Sequence, residues 1–147
     1  MDNDHKKTSN IQLKPASRFS IQELTDIYNQ TRVDYLIPMP MNIDRLRNYI
    51  AIYDVDLEHS IVAITHEGDV LGVAMLGVRG KRAWLTRIGV VPNNRQSGVA
   101  RLMVRNLVEH ANQLDINVLM LEVIKGNIPA YRLFSKFGFK EVGELLI

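Results

Sequence analysis

Ile88-Gly89-Val90-Val91-Pro92-Asn93-Asn94-Arg95-Gln96-Ser97-Gly98-Val99-Ala100-Arg101 is the stretch on which the reading of this chain turns. Its apolar start predicts a buried strand, its polar middle a short turn, and its end the first turn of a long helix. The first turn of a helix exposes backbone N–H groups that no helical carbonyl satisfies. Together with the positive end of the helix dipole they form a seat for an anion, above all a phosphate. Gly98 allows a ligand to approach the backbone with no Cβ in the way, Ala100 keeps the next approach small, and Arg95 and Arg101 add charge at the rim. The same residues also read as an ordinary strand-to-helix connection that contains a glycine. The rest of the chain has to choose between the two.

At 147 residues, with 46% hydrophobic and 23% charged, the chain suits one soluble globular domain. No apolar run approaches the ~20 residues that a membrane span needs, so a membrane role is not expected. The polar start Met1-Asp2-Asn3-Asp4-His5-Lys6-Lys7 lacks the apolar core of a secretory signal, and residues 1–9 read as a disordered or tag-like lead to a single domain over 10–147. Cysteine is absent, which excludes disulfides and thiolate chemistry and fits a cytoplasmic setting. A net charge of +2 without a dense basic run interleaved with aromatics gives no indication of nucleic-acid binding.

Taken in order, Ile11-Gln12-Leu13-Lys14 alternates and is stopped by Pro15, a first strand. Ser20-Ile21-Gln22-Glu23 matches a capping box, starting a helix that runs to about Val33 with Ile21, Leu24, Ile27 and Tyr28 on one face. Prolines at 38 and 40 interrupt the chain. Asn42 then caps a second helix, in which Ile43, Leu46, Tyr49 and Ile50 recur at helical spacing. Residues 60–65 and 70–78 predict a hairpin closed by Glu67-Gly68-Asp69, and residues 83–91 a fourth strand. A third helix over 97–114 turns Val99, Leu102, Met103, Leu107, Ala111 and Leu114 inward. The near-continuous apolar run 118–123 predicts a central strand covered on both faces. Asn127 caps a fourth helix that Gly138 ends, and residues 139 to about 146 predict a sixth strand. The expected fold class is α/β, an α+β mixed sheet of six strands flanked by four helices.

Two of these segments carry a resemblance. Val90-x-Pro92-x-x-Arg95-x-x-Gly98-x-Ala100 resembles the acyl-CoA pyrophosphate loop of the GNAT N-acetyltransferase superfamily. About thirty residues on, Leu121-Glu122-Val123-x-x-x-Asn127-x-x-Ala130-x-x-Leu133-Phe134-x-Lys136-x-Gly138-Phe139 is similar to its second motif. Two patterns in the correct order, each with the expected secondary structure, are far harder to reach by chance than either alone. The upstream layout of strand, two helices and hairpin is similar as well.

The resemblance implies a GNAT-like acyl-CoA N-acyltransferase fold in which strands 4 and 5 splay apart and take acetyl-CoA between them. The pantetheine arm would lie against strand 4, where Ile88 and Val90 offer backbone groups to its amides. Arg95, Gln96, Ser97, Gly98, Val99, Ala100 and Arg101 would cradle the pyrophosphate. Asn127 and the Phe134 region would line the other side, while the other reading of Asn127 is a helix cap alone, and the two roles are compatible. The dipole alone contributes about 1–2 kcal/mol to such an anion, so several N–H bonds must supply the rest.

For catalysis, acyl transfer needs an amine freed of its proton, a dipole for the thioester oxygen, and often an acid for the leaving thiolate. Many relatives carry a glutamate on strand 4, where this chain has Arg87. Relatives that acetylate protein N-termini use the glutamate of the second motif, and Glu122 matches it as a base acting through water. The other reading of Glu122 is a structural carboxylate bonded to nearby backbone. The usual acid is a tyrosine at the position of Phe134. Tyr131, one turn earlier and about 60° around the helix, is the candidate substitute, with packing or surface roles as the alternative. No metal is implied.

The connection between the first two helices would overhang the acceptor, making Asp34, Tyr35, Met39 and Met41 candidate lining residues. Arg87 facing that cavity would favour an acceptor bearing a carboxylate or phosphate. The acceptor itself is a small-molecule amine or a peptide N-terminus. A non-catalytic acyl-CoA-binding module on the same fold is the alternative, because Arg87 and Phe134 replace both familiar catalytic positions. The resemblance leads to the expectation of a seventh strand after the sixth, to come from a longer or tandem chain continuing past Ile147 or from a partner chain, and an apolar last strand with an open edge would invite a homodimer.

Overall fold

The computed structural model describes residues 10–33, 40–95 and 97–143. Strands β1 (Ile11–Pro15), β2 (Ile61–Thr65), β3 (Val70–Arg79), β4 (Arg82–Val90) and β5 (Val118–Met120) lie side by side in chain order. The first four are antiparallel neighbours, and β5 joins β4 in parallel. Helices α1 (Ile21–Gln30), α2 (Ile43–Ile52), α3 (Val99–Gln113) and α4 (Ile128–Lys136) complete the described fold.

The helices begin where the sequence places their caps. Ser20 Oγ accepts from Glu23 N–H and Glu23 Oε1 accepts from Ser20 N–H, a reciprocal capping box on α1. Asn42 and Asn127 cap α2 and α4 through their side-chain oxygens. Gly138, at φ +90°, closes α4: its N–H reaches Ser135 O and the Phe139 N–H reaches Phe134 O, while the two phenylalanine rings meet edge to face.

Alternation along the strands divides the core between the two sheet faces. Leu24, Ile27 and Tyr28 of α1 and Leu46 of α2 pack with Val62, Val73 and Met75 on one face. On the other, Val99, Met103, Val104 and Leu107 of α3 and Phe134 of α4 pack with Leu71, Ala74, Leu76, Ala83 and Leu85. Gly72 leaves room for this, since a Cβ there would lie 2.7 Å from Gly89 O and 3.0 Å from Met103 Cε.

Four boundaries differ from the sequence reading. First, α1 stops at Gln30 because Thr31 and Arg32 donate three residues back, to Tyr28 O and Asn29 O, and Thr31 Oγ1 also bonds Tyr28 O. Second, α3 starts at Val99 rather than Ser97, because Gly98 sits at φ +94° and the Ser97 hydroxyl bonds back to Asn94 O. Third, β5 is a three-residue edge strand with Val118 45% and Met120 43% exposed, not a central strand through residue 123. Fourth, the sheet has five strands among the described residues instead of six. The backbone of Phe139 is used in ending α4, and residues 140–143 are exposed and extend no ladder. The remainder of that expected strand, the lead over residues 1–9, and Asp34, Tyr35, Met39 and Gln96 lie outside the described residues.

Candidate active site

The parallel pairing of β5 reaches only Arg82, Ala83 and Trp84 of β4. Beyond Trp84 the β5-facing edge of β4 has no strand neighbour among the described residues. Val91 N–H donates to Leu71 O at 2.8 Å, so alternation turns the backbone groups of Val90 away from β3 and onto that open edge. Two guanidiniums hold its carbonyls: Arg32 Nη2 donates to Ile88 O at 3.3 Å and Arg95 Nε to Val90 O at 3.2 Å. Arg95 Nη2 also donates to Thr31 O at 3.0 Å, tying the loop after β4 to the end of α1. Ile88 and Val90 therefore lie where an extended ligand could add to the sheet. Arg95 turns inward to the backbone, not only outward as rim charge.

The edge runs directly into a helix start. Residues Pro92–Asn94 form a single 3₁₀ turn, followed by Gly98 in the left-handed region. The first helical bond of α3 is Leu102 N–H to Gly98 O, so the N–H groups of Val99, Ala100 and Arg101 have no acceptor within the helix. Among the described residues no side chain caps them, and the first turn carries no acid. An uncapped helix start with Arg101 exposed beside it has the donors and charge to hold an anion. A cleft of about 200 Å³ opens alongside, bordered by Ile11, Thr65, Leu71, Asn94, Ser97 and Val99.

On the opposite sheet face, β4 is bulged. Thr86 pairs with Met75 and Gly89 with Val73, which sets Arg87 and Ile88 against the single residue Ala74. The bulge turns two consecutive side chains to the same face. The Thr86 hydroxyl meets the Tyr49 hydroxyl, and Arg87 Nη1 donates to Tyr28 Oη at 2.8 Å. The Arg87 guanidinium lies 4.1 Å over the Tyr49 ring and 5.3 Å from the Tyr28 ring centre. Arg32 reaches the same phenol oxygen, Nε to Tyr28 Oη at 3.2 Å. Arg87 adopts φ +51°, which costs an L-residue about 1–2 kcal/mol, and its buried Nε has no hydrogen-bond partner among the described residues.

The second motif is more open. Glu122 lies two residues past β5, exposed, with no hydrogen bond to its carboxylate among the described residues, so the backbone-bonded alternative is not seen. Tyr131 is 52% exposed on α4, and Phe134 is buried in the core beside Phe139. Asn127 Oδ1 accepts from Ala130 N–H at 3.3 Å. The structure thus joins Ile88, Val90 and Arg95 to the start of α3, and places Arg87 in a separate cluster on the α1–α2 face. Sequence reasoning missed Arg32, Thr31 and the role of Tyr28. The one signal available was the helical i, i+4 spacing of Tyr28 and Arg32, which puts the guanidinium 5.1 Å from the ring centre.

Residues 21–139 match the family model described as the acetyltransferase (GNAT) family. The chain belongs to this family. Among curated relatives, the spermine/spermidine N(1)-acetyltransferase of Bacillus subtilis (strain 168) is 31% identical over 93 residues, covering 57% of this chain and 61% of that protein. The chain thus spans less than two thirds of that relative's length. A crystal structure of an N-acetyltransferase from Staphylococcus aureus Mu50 superposes with a TM-score of 0.70 at 22% identity, covering 91% of this chain and 86% of that one. The ribosomal-protein-alanine N-acetyltransferase from Brucella melitensis gives 0.69 at 22% identity, covering 90% and 86%. These two likenesses are of fold. The open edge of β4 and the uncapped start of α3 thereby belong to a GNAT fold.

Proposed function

We propose that the protein is an acetyl-CoA-dependent N-acetyltransferase that moves the acetyl group directly to a primary amine of a small molecule or a peptide N-terminus. The observation that carries this reading is the continuity of the open edge at Ile88 and Val90 with the uncapped N–H groups of Val99, Ala100 and Arg101. An extended amide-bearing arm that ends in a pyrophosphate matches both in one molecule. The residues present fit it: the edge offers carbonyls now bonded by arginine side chains, and the helix start offers donors with no acid in its first turn.

In this reading Ile88 and Val90 bond the pantetheine amides, and Arg95 together with Ser97 through Arg101 holds the pyrophosphate. Asn127 and the Phe134 region flank the far side. Bound acetyl-CoA supplies an activated thioester. The amine nitrogen forms a bond to its carbonyl carbon as the carbon–sulfur bond breaks. The proton lost by the amine passes through water to Glu122, and the departing thiolate takes a proton from Tyr131. Arg87 faces the acceptor side. The relatives' names give spermine and spermidine to one and a ribosomal-protein alanine to another, and both are amine acceptors. The test is release of free CoA from acetyl-CoA on addition of amines and N-terminal peptides. Amine-dependent release supports acetyl transfer. Binding of acetyl-CoA without release from any amine supports the non-catalytic acyl-CoA-binding module instead.

A further inference from the structure

We propose that the acceptor carries a carboxylate, which Arg87 recognises through its Nε and Nη2 donors. This inference rests on the acetyl-transfer reading and names the substrate class for the same site. Arg87 has a strained backbone at φ +51° on a two-against-one bulge, and a buried Nε with no partner. A residue kept only for packing avoids both costs, because glycine takes this backbone freely and an apolar side chain leaves no donor unsatisfied. What the two costs achieve is orientation. The bulge turns the side chain onto the α1–α2 face, where the Tyr49 ring lies under the guanidinium and Tyr28 Oη takes one terminal nitrogen, Nη1. The head group is held in one plane with its remaining edge unused.

That edge consists of Nε and Nη2, neither of which has an acceptor among the described residues. Side by side in the guanidinium plane, they present two parallel N–H bonds at the spacing of a carboxylate's two oxygens. The ion pairs formed among the described residues are His59–Asp56 and Arg79–Asp54, and neither includes Arg87. Arg32 brings a second guanidinium to the same Tyr28 oxygen. An acceptor that is itself only a cation brings no acceptor atoms to this edge. One that pairs its amine with a carboxylate brings the missing acceptor atoms and leaves the amine free to react.

The experiment is acetyl-transfer kinetics on the full chain with acceptors matched except for the anion: a series of free amino acids, their C-terminal amides, and a linear polyamine. Arg87→Gln and Arg87→Gly are compared with the wild type, the glycine variant being suited to the backbone at φ +51°. At least a tenfold higher kcat/KM for the acid over its amide is expected in the wild type, carried mainly by KM. Both variants should bring that ratio to within about threefold. Equal rates for acid and amide, preference for the polyamine, or a ratio that survives both substitutions overturns the inference. So does the absence of any acetylated amino acid from a protein that binds acetyl-CoA. These results leave acetyl transfer to other amines standing, whereas failure to bind acetyl-CoA at all overturns the transfer reading and this inference together.

Discussion

Replacing Gly89 by alanine tests whether the end of α1 is seated against the open edge of β4. A Cβ at this position would lie 2.5 Å from Thr31 Oγ1, 2.7 Å from Thr31 Cβ and 3.2 Å from Thr31 Cγ2. Favourable carbon contact begins near ~3.5 Å, so the two elements must part by roughly 1 Å. Thr31 cannot swing aside cheaply. It is fully buried, its hydroxyl bonds Tyr28 O at 2.7 Å, and its carbonyl accepts from Arg95. Overpacking of this kind costs about 1–3 kcal/mol, partly offset by the ~0.5–1 kcal/mol that alanine gains over glycine in a strand. A net loss of about 1–2 kcal/mol lowers the melting temperature by ~3–7 °C for a chain of 147 residues. Thermal denaturation followed by circular dichroism reads this directly. In a Thr31→Gly background the added methyl group meets no side chain, so most of the penalty should vanish, a coupling of about 1 kcal/mol or more. A melting temperature within about 1 °C of wild type, or an equal penalty in the Thr31→Gly background, refutes the reasoning. Because Tyr28 and Arg32 ride on the same helix end, the acceptor KM of Gly89→Ala should rise as well.

Glu122→Gln should lower turnover at least tenfold with acetyl-CoA affinity unchanged, and an unaltered kcat removes the glutamate as base. Tyr131→Phe is expected to cut turnover at least tenfold through loss of the proton for the thiolate, and an unchanged rate removes the tyrosine as acid. Ser20→Ala opens the capping box of α1 and should cost about 1 kcal/mol in thermal unfolding, without affecting acetyl-CoA binding measured by calorimetry.

Local chemistry made much of the fold legible. The capping box at Ser20 and Glu23, the asparagine caps at 42 and 127, and the glycine stop at 138 all depend on neighbours within a few residues, and each forms as read. The apolar stripe of α3 was equally plain, because periodicity reports a buried face wherever the partner lies. The extent of β5 was not legible. An apolar run signals burial of side chains, but a strand also needs a neighbouring backbone, and β4 supplies one only as far as Trp84.

The site divides along the same line. The turn and helix start at Gly98 could be read because glycine, turn and helix are consecutive in sequence. The cluster around Arg87 could not, because it depends on a one-residue bulge that turns Arg87 and Thr86 to the same face. Strict alternation would have set Arg87 beside Leu85, against α3. Nor does any pattern announce that Arg32 and Arg95 hold the carbonyls of Ile88 and Val90 from distant points in the chain.

Calorimetric titration with acetyl-CoA, in wild type and in Gly98→Asp, bears most directly on the central claim. The aspartate sets a carboxylate beside the free N–H groups of Val99, Ala100 and Arg101, where the pyrophosphate is to sit. Micromolar binding by the wild type that is lost in Gly98→Asp, with the variant still folded, is the expected result. Absence of binding by the wild type, or binding that the aspartate leaves intact, would contradict the assignment of the β4–α3 junction as the acetyl-CoA site.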